Sequence, residues 1–151
     1  MEGQGFPDRY SGRSIRVCFV QILLVEDVQD NRELFRIMLE QLGHTVLEAE
    51  NGRQAVHAAI AHQPDCILMD LSLPEVDGLL ATAAVRKIYP LRSIPIVAIT
   101  AFPKDLARDK ALAAGCDAYL EKPFSVEDLS AVLHGFFHIS EDRTGASLFP
   151  P

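Results

Sequence analysis

The sequence predicts an α/β protein built on a doubly wound, five-stranded parallel sheet flanked by five helices. Short apolar runs, each bounded by Gly, Pro, Asn or acidic residues, recur along the chain and are typical of strands covered on both faces. Between them lie stretches whose apolar residues recur at helical spacing. This alternation favours parallel strands joined by right-handed crossovers. With 151 residues, 48% of them hydrophobic, the chain suits one domain of ordinary size.

The elements of the first half can be justified in order. Asp30 or Asn31 is expected to cap the first helix and Gly43 to end it, while Asn51-Gly52 is a turn and Pro64 stops the second helix. The predicted elements are an apolar strand whose last five residues are 21–25, a helix over 30–42, a strand over 44–49 and a helix over 53–62.

The second half continues the alternation. Ser125 is expected to cap the last helix, whose first turn is acidic and therefore complements the helix dipole. The predicted elements are a strand over 65–70, a helix over 79–89, a loop over 90–95, a strand over 96–99 followed by Thr100, a helix over 105–114, a strand over 118–120 and the last helix, with its apolar stripe at Val126, Leu129, Val132, Leu133 and Phe136.

Composition excludes several classes of protein. The formal net charge of −7, without any tract of Lys and Arg, argues against nucleic-acid binding. Three cysteines without Cys-x-x-Cys spacing indicate buried thiols in a reducing, cytoplasmic compartment. The apolar run over 15–25 lacks a cleavage site and is shorter than the ~20 residues of a membrane span. We expect a disordered extension over 1–16, the folded domain over 17–139 and a polar tail over 140–151, with no output domain.

Polar side chains follow the apolar runs at the predicted ends of the strands. Asp70 ends the third strand, although an Asp there could equally cap a helix. Glu26 and Asp27 follow the first strand, Thr100 the fourth and Lys122 the fifth. Because parallel strands end at one edge of the sheet, these side chains should meet there.

Gathered carboxylates require a cation, because each pair repels by roughly 4 kcal/mol at 4 Å and an effective dielectric constant near 20. Hard oxygen ligands favour Mg²⁺. With Mg²⁺ bound, a carboxylate can act as nucleophile towards a phosphoryl group. An ammonium (Lys122) and a hydroxyl (Thr100) suit the phosphoryl oxygens, and Ala101 leaves room for their approach.

The stretch over 21–137 resembles a response-regulator receiver domain. The resemblance depends on motifs that occur in order and at the family's spacing: Val25-Glu26-Asp27, Met69-Asp70, Leu73-Pro74, Asp77-Gly78, Thr100-Ala101 and Tyr119-Leu120-Glu121-Lys122-Pro123-Phe124. It implies the flavodoxin-like receiver fold and two-component signalling in bacteria. Stand-alone receivers of the cell-division and chemotaxis kind, and receivers of hybrid kinases, are the most similar members.

The resemblance also implies roles for the residues at the sheet edge. Asp70 would be the phosphoacceptor, assisted by Thr100 and Lys122. Mg²⁺ would be bound by Asp27, Asp70 and the Ser72 backbone carbonyl, with Glu26 acting through water. Thr100 and Tyr119 would be the switch pair, and Lys122-Pro123 would be a cis peptide.

The implied phosphodonor is a histidine kinase or a histidine phosphotransfer protein. The implied downstream partner is a protein that binds the face made by the fourth helix, fifth strand and fifth helix. We expect no nucleic-acid or membrane partner, no enzymatic turnover, and a monomer or weak homodimer.

Three alternatives differ from a signalling switch. One is a receiver that shuttles or stores phosphate in a phosphorelay, or that belongs to a hybrid kinase. A phosphatase of the haloacid dehalogenase type would need a second Asp two residues after the nucleophile, where this chain has Ser72. A flavodoxin-like cofactor binder would need a Ser/Thr/Gly-rich loop after the first strand, where this chain has Glu26-Asp27-Val28-Gln29-Asp30, which would repel phosphate.

Overall fold

Five strands alternate with five α-helices in the part of the chain that the structure describes, as the sequence predicts. The structure is a computed structural model that describes residues 19–71, 77–102 and 104–137, with the backbone alone for 104–107. In chain order the elements are β1 (Gln21–Val25), α1 (Gln29–Gln41), β2 (Thr45–Ala49), α2 (Gly52–His62), β3 (Cys66–Asp70), α3 (Gly78–Arg86), β4 (Ile96–Thr100), α4 (Lys104–Ala114), β5 (Ala118–Glu121) and α5 (Val126–His134).

The strands form one parallel sheet in the order β2-β1-β3-β4-β5. Val25 lies opposite Met69, and Asp70 lies opposite Ile99, so that β1, β3 and β4 end at nearly the same level. The strand order reverses between β1 and β3. In open α/β sheets the crevice beyond such a reversal is where ligands bind, and it is here that β1 and β3 deliver their carboxylates.

Helices cover both faces of the sheet. On one face α1 and α5 contribute buried residues such as Phe35 and Leu129, and on the other α2 and α3 contribute Ala55, Ala59 and Val85. Every residue of β3 and of β4 is buried, which explains the continuous apolar runs of these two strands. Packing against helices on both faces therefore fixes the positions of the strand ends.

Several helix boundaries differ from the prediction. No side chain in the described part of the chain caps α1, which begins at Gln29 after Val28 rather than at Asp30 or Asn31. The backbone N–H of Val28 instead donates to the Glu26 carboxylate. The cap prediction was wrong because the helix begins at Gln29, before either predicted cap residue, and the Glu26 carboxylate holds the turn that leads into it.

The third predicted helix is also shorter than expected. It ends at Arg86, and a separate 3₁₀ helix (Tyr89–Leu91) occupies the start of the predicted loop. Pro90 lies at the beginning of that short helix, where its missing N–H costs nothing. The α2 and α4 helices each begin one residue earlier than predicted, and Asn51 caps α2 by accepting from the N–H of Gln54.

Gly78 allows α3 to begin against the end of β3. A Cβ atom at this position would collide with the backbone carbonyl oxygen of Asp70 and the Cα of Leu71. The predicted cap of α5 is confirmed, because Ser125 and Asp128 form a reciprocal capping box. The Lys122-Pro123 peptide is cis.

Several predictions concern residues outside the described ranges, namely the extension over 1–16, the tail over 140–151, Cys18 and Ser72. Cys66 and Cys116 are buried, as expected, and burial raises the pKa of the Cys66 thiol to about 12. None of the helices in the described part of the chain has the length and apolar character that crossing a membrane requires.

Candidate functional site

Three carboxylates meet at the carboxyl edge of the sheet. Glu26 and Asp27 follow β1, Asp70 ends β3, and oxygen atoms of all three lie within 4.8 Å of one another. Glu26 is fully buried and Asp70 is 3% exposed, whereas Asp27 is open to solvent. Hard oxygen donors at this separation are the ligand set that Mg²⁺ binds, so these residues fit such an ion.

Lys122 supplies the positive charge of the cluster. Its Nζ atom lies 2.9 Å from Oε1 of Glu26 and 3.4 Å from Oδ2 of Asp70. Burial by itself lowers the pKa of Lys122, but the hydrogen bond that Lys122 donates to Glu26 and the charge of Asp70 outweigh burial, so the pKa is raised. The ammonium is therefore fully charged at neutral pH and contacts the two buried carboxylates.

Thr100 and Tyr119 are joined through one residue, Phe102. The fully buried Thr100 hydroxyl accepts a hydrogen bond of 3.0 Å from the backbone N–H of Phe102. The Tyr119 hydroxyl donates a bond of 2.6 Å to the backbone carbonyl of the same residue. Burial, and secondarily the charge of Glu121, raises the pKa of Tyr119, which keeps its phenol protonated as this bond requires. Thr100 itself follows Ile99, the residue opposite Asp70.

The structure thus brings together four of the predicted site residues, Glu26, Asp27, Asp70 and Lys122, in direct proximity. Thr100 lies on the neighbouring strand beside Asp70, and Tyr119 lies one strand further, on β5. Ser72, predicted to offer its backbone carbonyl, lies outside the described residues.

Sequence reasoning missed Arg32. This residue lies one turn into α1 and donates a hydrogen bond of 2.9 Å from Nη1 to the backbone carbonyl of Glu26. A cation near a helix N-terminus opposes the helix dipole, so its position in the sequence was a signal that a tertiary contact compensates for it.

A family model agrees with this geometry. Residues 22–134 match the model described as the response regulator receiver domain. The chain belongs to the response regulator receiver family. Its five strands in the observed order and its acidic edge are those of a receiver, so the predicted fold and family are confirmed.

Curated relatives and solved structures agree with the family assignment. The chain is 41% identical over 105 residues to the polar-differentiation response regulator DivK of Brucella anthropi, covering 70% of this chain and 85% of the relative. It is 39% identical to the receiver domain of the Pseudomonas aeruginosa sensor histidine kinase PA1611, whose crystal structure has a magnesium ion in the active-site cleft (TM-score 0.73; 78% of this chain, 96% of the other). The chemotaxis protein CheY4 of Vibrio cholerae is 27% identical (TM-score 0.73; 78% and 98% covered).

Membership determines the class of function. Receivers accept phosphate from histidine kinases in two-component signalling and act as regulators, so this receiver is not a turnover enzyme. The acidic cluster predicted as a magnesium site is the acidic cluster of a receiver active site. The phosphatase and cofactor-binding alternatives are therefore excluded.

Proposed function

We propose that this receiver is a phosphorylation-dependent switch in which Asp70 accepts a phosphoryl group from a histidine kinase or a histidine phosphotransfer protein. The observation that carries the proposal is the contact of the Lys122 ammonium with both Asp70 and Glu26. An ammonium beside a nearly buried carboxylate at the end of a central strand can stabilise the negative charge of a phosphoryl group that is transferred to that carboxylate.

In the proposed reaction a carboxylate oxygen of Asp70 attacks the phosphorus of phosphohistidine, and the P–N bond breaks as the new P–O bond forms. The imidazole leaves with the electron pair of the broken bond and takes up a proton. Lys122 can shift from Glu26 towards an incoming phosphoryl oxygen. The Thr100 hydroxyl can donate its proton to a second phosphoryl oxygen, because its bond with Phe102 uses the hydroxyl oxygen only as an acceptor.

We propose that Glu26, Asp27 and Asp70, together with the Ser72 backbone carbonyl, bind Mg²⁺, with Glu26 contributing through water. The close approach of three carboxylates and the magnesium ion in the PA1611 receiver support this assignment. When bound, Mg²⁺ neutralises charge on the phosphoryl oxygens.

The proposed readout is a protein partner that binds the face formed by α4, β5 and α5. Support comes from the two hydrogen bonds of Phe102, because a Thr100 hydroxyl drawn towards a phosphoryl group disturbs the residue whose backbone carbonyl holds the Tyr119 hydroxyl. Tyr119 can then turn, which changes the surface beside α4. We further propose a cytoplasmic location and a monomer or weak homodimer.

A phosphate-shuttling role is the second candidate, and the 39% identity to the receiver of a sensor histidine kinase favours it. The two roles differ in whether a partner distinguishes the phosphorylated form. A shuttle requires only phosphoryl transfer to a histidine, whereas a switch requires a partner whose affinity changes by roughly 5- to 150-fold, the usual range of such coupling.

The direct test is labelling with acetyl phosphate and Mg²⁺. We expect one acid-stable, base-labile phosphoryl group per chain, detected as a mass increase, and none on Asp70→Asn. Asp109→Asn is the matched control, because it makes the same chemical change at an exposed position of α4. Equal labelling of Asp70→Asn and wild type would overturn the proposal.

A further inference from the structure

Arg32 is largely withdrawn from solvent and joins three groups. Its side chain is 12% exposed. Nη1 donates to the backbone carbonyl of Glu26 at 2.9 Å, Nε donates to Oε1 of Glu48 at 3.0 Å, and Nη2 lies 3.7 Å from Oε2 of Glu50. The guanidinium therefore connects α1, the end of β2 and the turn that carries the acidic cluster.

The turn after β1 depends on this contact. The backbone N–H of Glu26 donates to Ala49, and the Glu26 carboxylate accepts from Val28 and Lys122. The remaining polar group of Glu26 is its backbone carbonyl, which Arg32 holds. This carbonyl belongs to the peptide that joins Glu26 to the next residue, so the guanidinium determines how that peptide plane is turned.

We infer that Arg32 is a positioning residue for the cation site. By holding the peptide between Glu26 and Asp27, it directs the solvent-exposed carboxylate of Asp27 towards Asp70 and Glu26. Asp27 needs such support because it lies on the surface, before a helix that has no side-chain cap within the described residues. The inference rests on the proposed Mg²⁺ site.

Charge and geometry make opposite contributions at this position, which makes the inference testable. The positive charge of Arg32 repels a nearby cation, so removing it should strengthen Mg²⁺ binding if charge alone matters. Removing the hydrogen bond should weaken Mg²⁺ binding, because residues that orient metal ligands typically contribute 10- to 100-fold to affinity.

Arg36 provides a matched control. It lies one turn further along α1, in the same ion-pair network, and shares the Glu48 carboxylate with Arg32. Its remaining partners in the described residues are Glu33 and Glu40. Substitution of either arginine by Gln thus changes the charge of this surface equally, but only the substitution of Arg32 releases the Glu26 carbonyl.

The experiment measures Mg²⁺ affinity of the unphosphorylated protein by titration calorimetry. We expect Arg32→Gln to raise the Kd about tenfold and Arg36→Gln to leave it within about twofold of wild type or to lower it. Arg32→Lys, which keeps the charge and one donor, should give an intermediate Kd. The backbone amide resonance of Asp27 should shift in Arg32→Gln before Mg²⁺ is added, and not in Arg36→Gln.

The outcomes separate this inference from the proposed function. A wild-type protein that does not bind Mg²⁺ would overturn the proposed metal site and the inference with it. Wild-type binding together with equal Kd values for Arg32→Gln and Arg36→Gln would overturn the inference alone. If urea titration shows that Arg32→Gln is unfolded, the test is made with Arg32→Lys instead. A Kd of Arg32→Lys equal to that of wild type would then contradict the role of Arg32.

Discussion

The ion pair between Lys122 and Glu26 shows how single residues in this receiver depend on one another. Glu26 is fully buried, and a buried carboxylate without a counter-charge is strongly unfavourable. Lys122 lies closer to Glu26 than to Asp70, at 2.9 Å against 3.4 Å. The lysine therefore neutralises the buried Glu26 carboxylate as well as contacting Asp70.

Lys122→Met tests this dependence. Because Glu26 and Asp70 would remain buried without their counter-charge, we expect a loss of about 3–5 kcal/mol in the free energy of unfolding at pH 7. The folded-state pKa of Lys122 is raised above 10.5, so its contribution is fully present below that pH and disappears as pH rises through the folded-state value. Urea unfolding between pH 7 and pH 11 measures the difference between the two proteins.

That difference should shrink only at the alkaline end of the range, because wild type then loses the ammonium that the variant already lacks. Effects of alkaline pH that do not involve Lys122 occur in both proteins and cancel. A difference that stayed constant to pH 11, or one near zero at pH 7, would show that the ammonium does not stabilise the buried carboxylates.

At the scale of elements, the segment between β4 and α4 links the acidic edge to the face of β5. The two backbone groups of Phe102 are bound by side chains from different strands, the N–H by Thr100 and the carbonyl by Tyr119. The two groups belong to adjacent peptide planes joined at the Cα of Phe102, so a movement of this residue changes both hydrogen bonds and can pass a change at β4 to β5.

Thr100→Ala should separate phosphorylation from this coupling. We expect acetyl phosphate still to label Asp70, because the carboxylates and Lys122 remain. The phosphorylation-dependent shifts of the Phe102 amide and the Tyr119 ring should fall to a small fraction of their wild-type size, because the hydroxyl that links them to the phosphoryl group is gone. Two-dimensional NMR before and after labelling measures both signals.

Tyr119→Phe is the complementary variant, since it keeps the bond of Thr100 to Phe102 and removes only the bond on the β5 side. Its Phe102 amide should still respond to phosphorylation. Wild-type shifts of the Tyr119 ring in Thr100→Ala would contradict the proposed coupling between the two switch residues.

At the scale of the whole molecule, folding and cation binding are linked because the sheet gathers like charges. The three carboxylates come from β1 and β3, which are separated by α1, β2 and α2 in the chain and become neighbours only in the folded sheet. Mg²⁺ that binds this arrangement and not the unfolded chain stabilises the fold by RT ln(1 + [L]/Kd).

We therefore expect Mg²⁺ at ten times its Kd to add about 1.4 kcal/mol to the free energy of unfolding, which corresponds to a rise in Tm of roughly 5 °C for a domain of this size. Asp27→Ala should raise the Tm slightly without Mg²⁺, since repulsion is relieved, and should largely remove the response to Mg²⁺. Thermal unfolding with and without Mg²⁺ tests both expectations, with Asp109→Asn as the control. A variant with the full wild-type response would exclude Asp27 as a ligand.

The sequence alone determined the alternation of strands and helices and the polar residues at the ends of the first, third, fourth and fifth strands. Both follow from local periodicity and from residues such as Gly43 and Pro64 that stop helices. Parallel topology then required Glu26, Asp27, Asp70, Thr100 and Lys122 to lie at one edge of the sheet, which is why most of the site could be predicted without coordinates.

Tertiary structure alone decided the contacts between side chains that local patterns do not encode. Arg32 of α1 turns back to the Glu26 carbonyl because Glu48, on the neighbouring strand β2, and Glu50, just after that strand, hold its other nitrogens. These contacts depend on which strand lies beside β1. Strand order results from packing of the whole sheet, whereas sequence patterns report only the face and the end of each element.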